Sequence, residues 1–297
     1  MIPIVFSTDH NYVMPAGVTI LSLLENADGE SYDIFILAAQ DVNDNDKMLL
    51  RRQVETASPS SKISFLSMGD SFNGCYEIRG ISKASYYRLL IPWLIPQYDK
   101  IIYSDVDIIF QNNLREVYDI DLTGFYLSGV NTPGFKAKSF VKHLTSMQLE
   151  ASRYINAGFL VINAAYQRQS SLNNRFLELS KNNYTYQDQD IINIACDGKI
   201  LLLDDKWNVA PFYCNDNHLL SNMLTMGGVI HYAGAKPWKE FTFGRDLWWG
   251  VYLRSIFRDN RYYYECTRTM MAGNESVKTL VKKLLKRCAA KLTGRGR

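Results

Sequence analysis

Four groups of residues in this chain have types and spacing suited to work on a charged ligand. Asp105 and Asp107 stand one residue apart in Lys-Ile-Ile-Tyr-Ser-Asp-Val-Asp-Ile-Ile-Phe, residues 100–110. Side chains two apart on a strand share a face. Two carboxylates buried together repel and lose hydration. At a strand end with a cation between them, they become hard oxygen ligands for Mg²⁺ or Mn²⁺ holding a diphosphate. A turn with two solvated aspartates fits the pair alone at least as well. His231-Tyr232-Ala233-Gly234-Ala235-Lys236-Pro237-Trp238 joins a metal-capable imidazole, a glycine for close approach and a lysine for phosphate. A lone histidine is more often structural, and His10, His143 and His218 take that reading. Gln187-Asp188-Gln189-Asp190 opens a helix with amides and carboxylates that suit sugar hydroxyls. It is equally a good helix start, with acidic residues favoured by the dipole. Asn156-Ala157-Gly158 sets small residues beside an amide, for close approach of a ligand or simply for a turn.

These residues need a frame that brings them together. Apolar runs predict strands at 2–6, 32–39, 62–68, 100–110, 125–130, 157–162 and 200–203, and a further apolar run, 227–232, contains His231. Helical spacing marks 13–24, with Val18, Leu21 and Leu24 on one side, and 43–56, with Met48, Leu49 and Val54 inward. Further helices are expected at 82–91, from an N-cap at Ser82 to Pro92, at 172–179 and at 189–195. Strands alternating with helices predict βαβ units and a mostly parallel sheet. Ligands bind such sheets at the carboxyl ends of the strands, where Asp9 and Asp105 would lie.

The 297 residues suit one large domain, and the 47% hydrophobic fraction is that of a globular protein. Five scattered cysteines (75, 196, 214, 266 and 288) make neither a disulfide framework nor a zinc site. No basic segment precedes an apolar run at the start, and no stretch reaches the length of a spanning helix, so a reducing, cytoplasmic location is expected. Charge is uneven. Eight Lys and Arg against one Glu put +7 on residues 273–297 and leave −4 on the rest of a chain whose net charge is +3. The expected division is a body, 1–268, and a basic tail, 273–297. In the tail Val277, Leu280, Val281, Leu284, Leu285 and Cys288 recur at helical spacing, opposite Lys278, Lys282, Lys283, Lys286 and Arg287. Such a helix lies on an anionic membrane surface, or docks on the mildly acidic body.

In order along residues 2–240 stand Ile4-Val5-Phe6-Ser7-Thr8-Asp9-His10-Asn11-Tyr12, Ser85-Tyr86-Tyr87-Arg88-Leu89, Tyr103-Ser104-Asp105-Val106-Asp107, Asn156-Ala157-Gly158-Phe159, Tyr186-Gln187-Asp188-Gln189-Asp190 and the His231–Trp238 stretch. Each is modest alone. The ordered set resembles glycosyltransferase family 8, which includes bacterial lipopolysaccharide α-galactosyl- and glucosyltransferases and glycogenin.

The resemblance implies an α/β type A glycosyltransferase fold, a Rossmann-like, mostly parallel sheet with helices on both faces. It implies Mn²⁺ or Mg²⁺, UDP-galactose or UDP-glucose as donor, retention at the anomeric carbon and a glycan or glycolipid acceptor, with no nucleic acid. Carried over by motif, Asp105, Asp107 and His231 are the metal ligands. Ser7, Thr8, Asp9, Asn11 and Tyr12 hold uracil and ribose, with Ser104 and Val106 beside them. Arg88 and Asp105 reach ribose or sugar. Asn156, Asp188 and Gln189 contact the transferred sugar, the last two as catalytic candidates, and Gly234 and Lys236 meet the diphosphate. Two departures stand out. Asn131 occupies a place where family members often carry Asp, which argues against a carboxylate nucleophile there. The Lys236 loop is one residue shorter than in the bacterial galactosyltransferases. A phosphohydrolase with an Asp-x-Asp nucleophile is the competing enzyme; it places the pair on the first strand. A non-catalytic carbohydrate-binding protein on the same fold is the other alternative.

Overall fold

The computed structural model describes residues 1–69, 72–77, 83–132, 138–211, 221 and 225–273, with side chains to Arg268. Ser82, Cys214, His218, Cys288 and the amphipathic tail therefore lie outside the described residues. Strands are β1 (Ile2–Thr8), β2 (Tyr32–Ala38), β3 (Lys62–Ser67), β4 (Lys100–Ser104), β5 (Ile108–Phe110), β6 (Leu127–Asn131), β7 (Ile155–Asn163), β8 (Ile200–Leu202) and β9 (Val229–His231). Helices are α1 (Val13–Glu25), α2 (Asp44–Ala57), α3 (Ile91–Leu94), α4 (Arg115–Tyr118), α5 (Lys138–Ser146), α6 (Ala164–Gln169), α7 (Leu172–Leu179), α8 (Gln187–Ala195), α9 (Arg245–Tyr252) and α10 (Asn260–Gly273).

Seven strands form one sheet in the order β3-β2-β1-β4-β7-β6-β8. Strands β1 to β4 run parallel within it, β7 is antiparallel to β4 and β6, and β8 is parallel to β6. All of β1 is buried because both faces are covered. Ile2, Ile4 and Phe6 pack with α1 and α2, while Val5 packs with Tyr86, Tyr87 and Tyr103 on the other side. A strand covered on both faces reads as a continuous apolar run, as 2–6 does.

Several expectations change. The run 100–110 is not one strand. It breaks at Asp105-Val106-Asp107, and Ile108–Phe110 leaves the main sheet to pair antiparallel with β9, Ile108 opposite His231. Thr19 and Ser22 of α1 hold this departure. The Thr19 hydroxyl lies 2.8 Å from the carbonyl oxygens of both Val106 and Ile108, and Ser22 Oγ accepts from Phe110 N at 3.0 Å. α1 accordingly has no single inward stripe. Eleven of its thirteen residues are buried, one side on the main sheet and Val18 and Leu21 against Ile109, Ile230 and Trp248.

In α2 the inward residues are Asp46, Leu50, Gln53 and Val54, while Met48 is exposed and Leu49 half-buried. Polar contacts turn the helix this way. Asp46 closes a capping box with Asn43 and meets His10 Nδ1 at 2.7 Å, and Gln53 Oε1 accepts from Ile256 N at 3.0 Å. Residues Lys83–Leu90 form a 3₁₀ segment rather than an α-helix. Pro92 does not end it; it sits in the first turn of α3, where its missing N–H costs no bond. In the second half the helix 172–179 occurs with the expected ends and the other expected elements with shifted ones. Trp248, Trp249 and Tyr252 of α9 complete an aromatic cluster with Trp238.

Candidate active site

A cavity of about 460 Å³ opens at the carboxyl ends of β1 and β4. Of the residues singled out in the sequence, Ser7, Thr8, Asp9, Tyr12, Arg88, Asp105, Val106, Asp107, Asn156, Asp188, Gln189, His231, Gly234 and Lys236 line it. Asn11 and Ser104 do not. Asn11 is exposed in the 3₁₀ turn His10–Tyr12, which Asp9 caps by accepting from Tyr12 N at 3.2 Å. Ser104 is buried below the floor and donates to the Asp105 carbonyl at 2.8 Å. Gln187, of the acidic and amide stretch that opens α8, also lines the cavity, as do Tyr103, Ser85 and Tyr186, which stood in the motifs without an assigned role.

The break after β4 puts Asp105 and Asp107 opposite the end of β9. One carboxylate oxygen of each and a His231 nitrogen all lie within 4.8 Å of one another. His231 Nε2 is 3.3 Å from Asp107 Oδ1 and 3.8 Å from Asp105 Oδ2. Two hard oxygens and one imidazole nitrogen suit Mn²⁺ or Mg²⁺. Lys236 Nζ bonds Asp107 Oδ2 and donates to the Tyr232 carbonyl at 2.9 Å. Burial by itself would raise Asp107, but Lys236 and His231 more than reverse that and hold its carboxyl below the usual carboxylate range. Gly234 has a φ of +95°, so its first role is the turn that aims this lysine.

Across Asp105 lies a second charged cluster. Arg88, on the 3₁₀ segment, is buried and reaches Asp105 Oδ1 and Asp188 Oδ2 at 2.9 Å each, and donates to the Ala157 carbonyl at 2.5 Å. Its guanidinium lies 4.3 Å from the centre of the Tyr103 ring, and the Tyr103 hydroxyl donates to Asp105 Oδ1 at 2.7 Å. Burial pushes Asp188 up to about 6, Arg88 opposing and Asp105 adding to the rise.

Close approach at Asn156-Ala157-Gly158 comes from the protein itself. A Cβ on Gly158 would stand 2.2 Å from His231 Cε1, so the glycine makes room for the imidazole. One buried hydroxyl oxygen on the cavity wall, Ser7 Oγ, has no hydrogen-bond partner among the described residues. Burying such groups unpaired is costly, and a polar ligand in the cavity would relieve it. Asn131, by contrast, donates to the carbonyls of Ala151 and Tyr154 at 2.8 and 3.0 Å and is not part of the wall.

A polar cleft at the carboxyl ends of parallel strands defines the open α/β ligand-binding class. Residues 3–242 match glycosyl transferase family 8, and the chain belongs to that family. A Haemophilus influenzae protein named provisionally as a glycosyltransferase is 31% identical over 78% of this chain and 71% of its own. Lipopolysaccharide glucosyltransferase WaaO of Escherichia coli is 26% identical over 80% of this chain and 73% of its own. The structure of galactosyltransferase LgtC, solved with donor and acceptor sugar analogs, superposes with a TM-score of 0.74 at 22% identity, covering 88% of this chain and 99% of LgtC. The fold is the type A glycosyltransferase fold.

Proposed function

We propose that this chain is a retaining, metal-dependent hexosyltransferase moving galactose or glucose from a UDP-sugar to a glycan acceptor of the bacterial cell surface. The convergence of Asp105, Asp107, His231 and Lys236 at one end of a cavity lined elsewhere by Ser7, Thr8, Asp9 and Tyr12 carries this reading. Asp105, Asp107 and His231 would hold Mn²⁺ or Mg²⁺, which when bound neutralises charge developing on a diphosphate leaving group. Lys236 adds a fixed positive charge beside it. Ser7, Asp9 and Tyr12 would receive the base and ribose. Asn156, Asp188 and Gln189 would bind the hexose.

No carboxylate nucleophile enters this mechanism. Gln189 Oε1 accepts from both Asn156 Nδ2 and Ala157 N at 3.1 Å, which fixes the amide on the cavity wall, a position suited to orienting the sugar. The acceptor oxygen attacks on the face from which the diphosphate leaves, and the departing phosphate oxygen takes its proton. The basic tail, 273–297, is proposed as a separate membrane-surface segment holding the body, 1–268, at the inner face of the cell membrane. Among the described residues no helix is long and apolar enough to cross a membrane.

Calorimetry with UDP, GDP and CMP, with and without Mn²⁺, tests the donor site. UDP should bind, should bind more tightly with Mn²⁺, and should be preferred. Equal binding of all three, or of none, rejects the reading. Transfer should also stop on chelation and give an α-linked product with a small anomeric coupling.

A further inference from the structure

The hydrogen bonds behind His231 have one self-consistent direction. Gly158 N donates to Asn156 Oδ1 at 2.9 Å, and Ala157 N donates to Gln189 Oε1 at 3.1 Å. A backbone N–H can only donate, so these two bonds set both side-chain amides. Gln189 then turns Nε2 to the Tyr154 hydroxyl at 3.1 Å and receives Asn156 Nδ2 on Oε1. Asn156 Oδ1 takes a second bond, from Asn208 Nδ2 at 2.9 Å. That leaves Asn208 Oδ1 facing His231 Nδ1 at 2.8 Å. An amide oxygen only accepts, so Nδ1 carries a proton. Nε2 faces Asp107 and Asp105.

We propose that Asn208 is a positioning residue that passes the direction of two backbone N–H groups, through Asn156, to His231 and presents its Nε2 to a divalent cation. This rests on the cation reading above. The surroundings hold Asn208 to the task. It is 1% exposed, in a 3₁₀ segment, Asp205–Asn208, whose Trp207 stacks on Phe159 at 10° between planes. Backbone bonds run from Val209 N to the Val229 carbonyl and from His231 N to the Val209 carbonyl, at 2.8 and 2.7 Å, so Asn208 and His231 move as a unit. Gly228, with φ +110°, lets the Lys206 carbonyl approach to where a Cβ would stand 2.2 Å away. A partner on the far nitrogen of a ligating histidine fixes both ring orientation and proton position.

The test is titration of Mn²⁺ alone into the full chain, followed by the electron paramagnetic resonance signal of the unbound ion, for wild type, Asn208→Leu and Asn208→Asp. Thermal unfolding of each is recorded alongside. Asn208→Leu removes the acceptor and should weaken Mn²⁺ binding by roughly 10–100-fold. Asn208→Asp restores an acceptor for Nδ1–H and should recover most of that loss, whereas a packing role alone would leave the similarly shaped Asn208→Leu near wild type. Should Asn208→Leu fail to fold, Asn208→Ser replaces it, being too short to reach Nδ1, with the same expectation. Wild-type affinity in Asn208→Leu or Asn208→Ser, or an Asn208→Asp variant as weak as either, overturns the proposal. A wild-type chain that binds no Mn²⁺ overturns the cation reading itself, and this inference with it.

Discussion

Asp107 and Asp188 are both buried and both ion-paired, and they flank Asp105 on opposite sides of the cavity. Asp107 has two basic neighbours, Lys236 and His231, and is held below the usual carboxylate range. Asp188 shares one guanidinium with Asp105, whose own charge works against it, and is pushed up to about 6. The lesson is one of counting cations per carboxylate. Where cations match or exceed the carboxylates, burial leaves a standing anion suited to a divalent ion. Where one arginine serves two, a carboxylate is left close to taking a proton at neutral pH, and such a group can both accept from and donate to a hydroxyl.

The largest expected effect comes from removing the standing anion. Asp107→Ala should lower kcat/KM for transfer by roughly 10²–10³-fold or more, with circular dichroism unchanged because the side chain faces the cavity. Near-wild-type turnover in Mn²⁺ would end the comparison. Next is the shared cation. Arg88→Met leaves two carboxylates without their partner in a buried setting, and urea unfolding should show a loss of about 3–5 kcal/mol. Arg88→Lys should recover only part of it, because an ammonium lacks the planar fork that meets Asp105, Asp188 and the Ala157 carbonyl together.

A smaller effect sharpens the contrast by pH. Asp188 sits at about 6 when folded against an ordinary 3.8. Between those values the folded protein holds the proton and the unfolded chain does not, so this group's contribution falls as pH rises through the window. Wild type should therefore lose more melting temperature than Asp188→Asn between roughly pH 4 and 6; parallel curves would contradict the assignment. The smallest effect is at Thr19→Val, which removes the hydroxyl behind Val106 and Ile108. It should cost about 1 kcal/mol, and Mn²⁺ affinity should fall further than the stability does.

Much of the cavity wall was legible because its chemistry is local. Asp105, Asp107, His231, Lys236, Asp188 and Gln189 are residue types that suit cation, phosphate and sugar, set beside apolar runs that mark strand and helix ends. Ser104 shows where a motif misleads. Side chains alternate along a strand, so the face that carries Tyr103 and Asp105 into the cavity turns Ser104 away, and Tyr103 was the member to choose. The break at residue 105 was hidden because Ile108–Phe110 is as apolar as Ile101–Tyr103. Only a pairing with residues 229–231, far along the chain, separates the two runs. Asn208 gave no signal at all. An asparagine in an irregular segment looks like any turn residue, and its proposed role rests on two partners distant in sequence, Asn156 and His231.

The two-stranded ribbon of β5 and β9 also bears on the order of folding. It joins residues as far apart as Asp107 and Lys236, 129 positions along the chain, through strands of three residues each. The helices that clasp it come from near both ends of the described chain, α1 and α9. The base-proposed side, β1 to β3 with α1 and α2, is built from the first 67 residues. Contacts that close long loops form late. Pulse-labelled hydrogen exchange during refolding should thus protect β1 and β2 before β5 and β9, with the capacity to hold a cation arriving last.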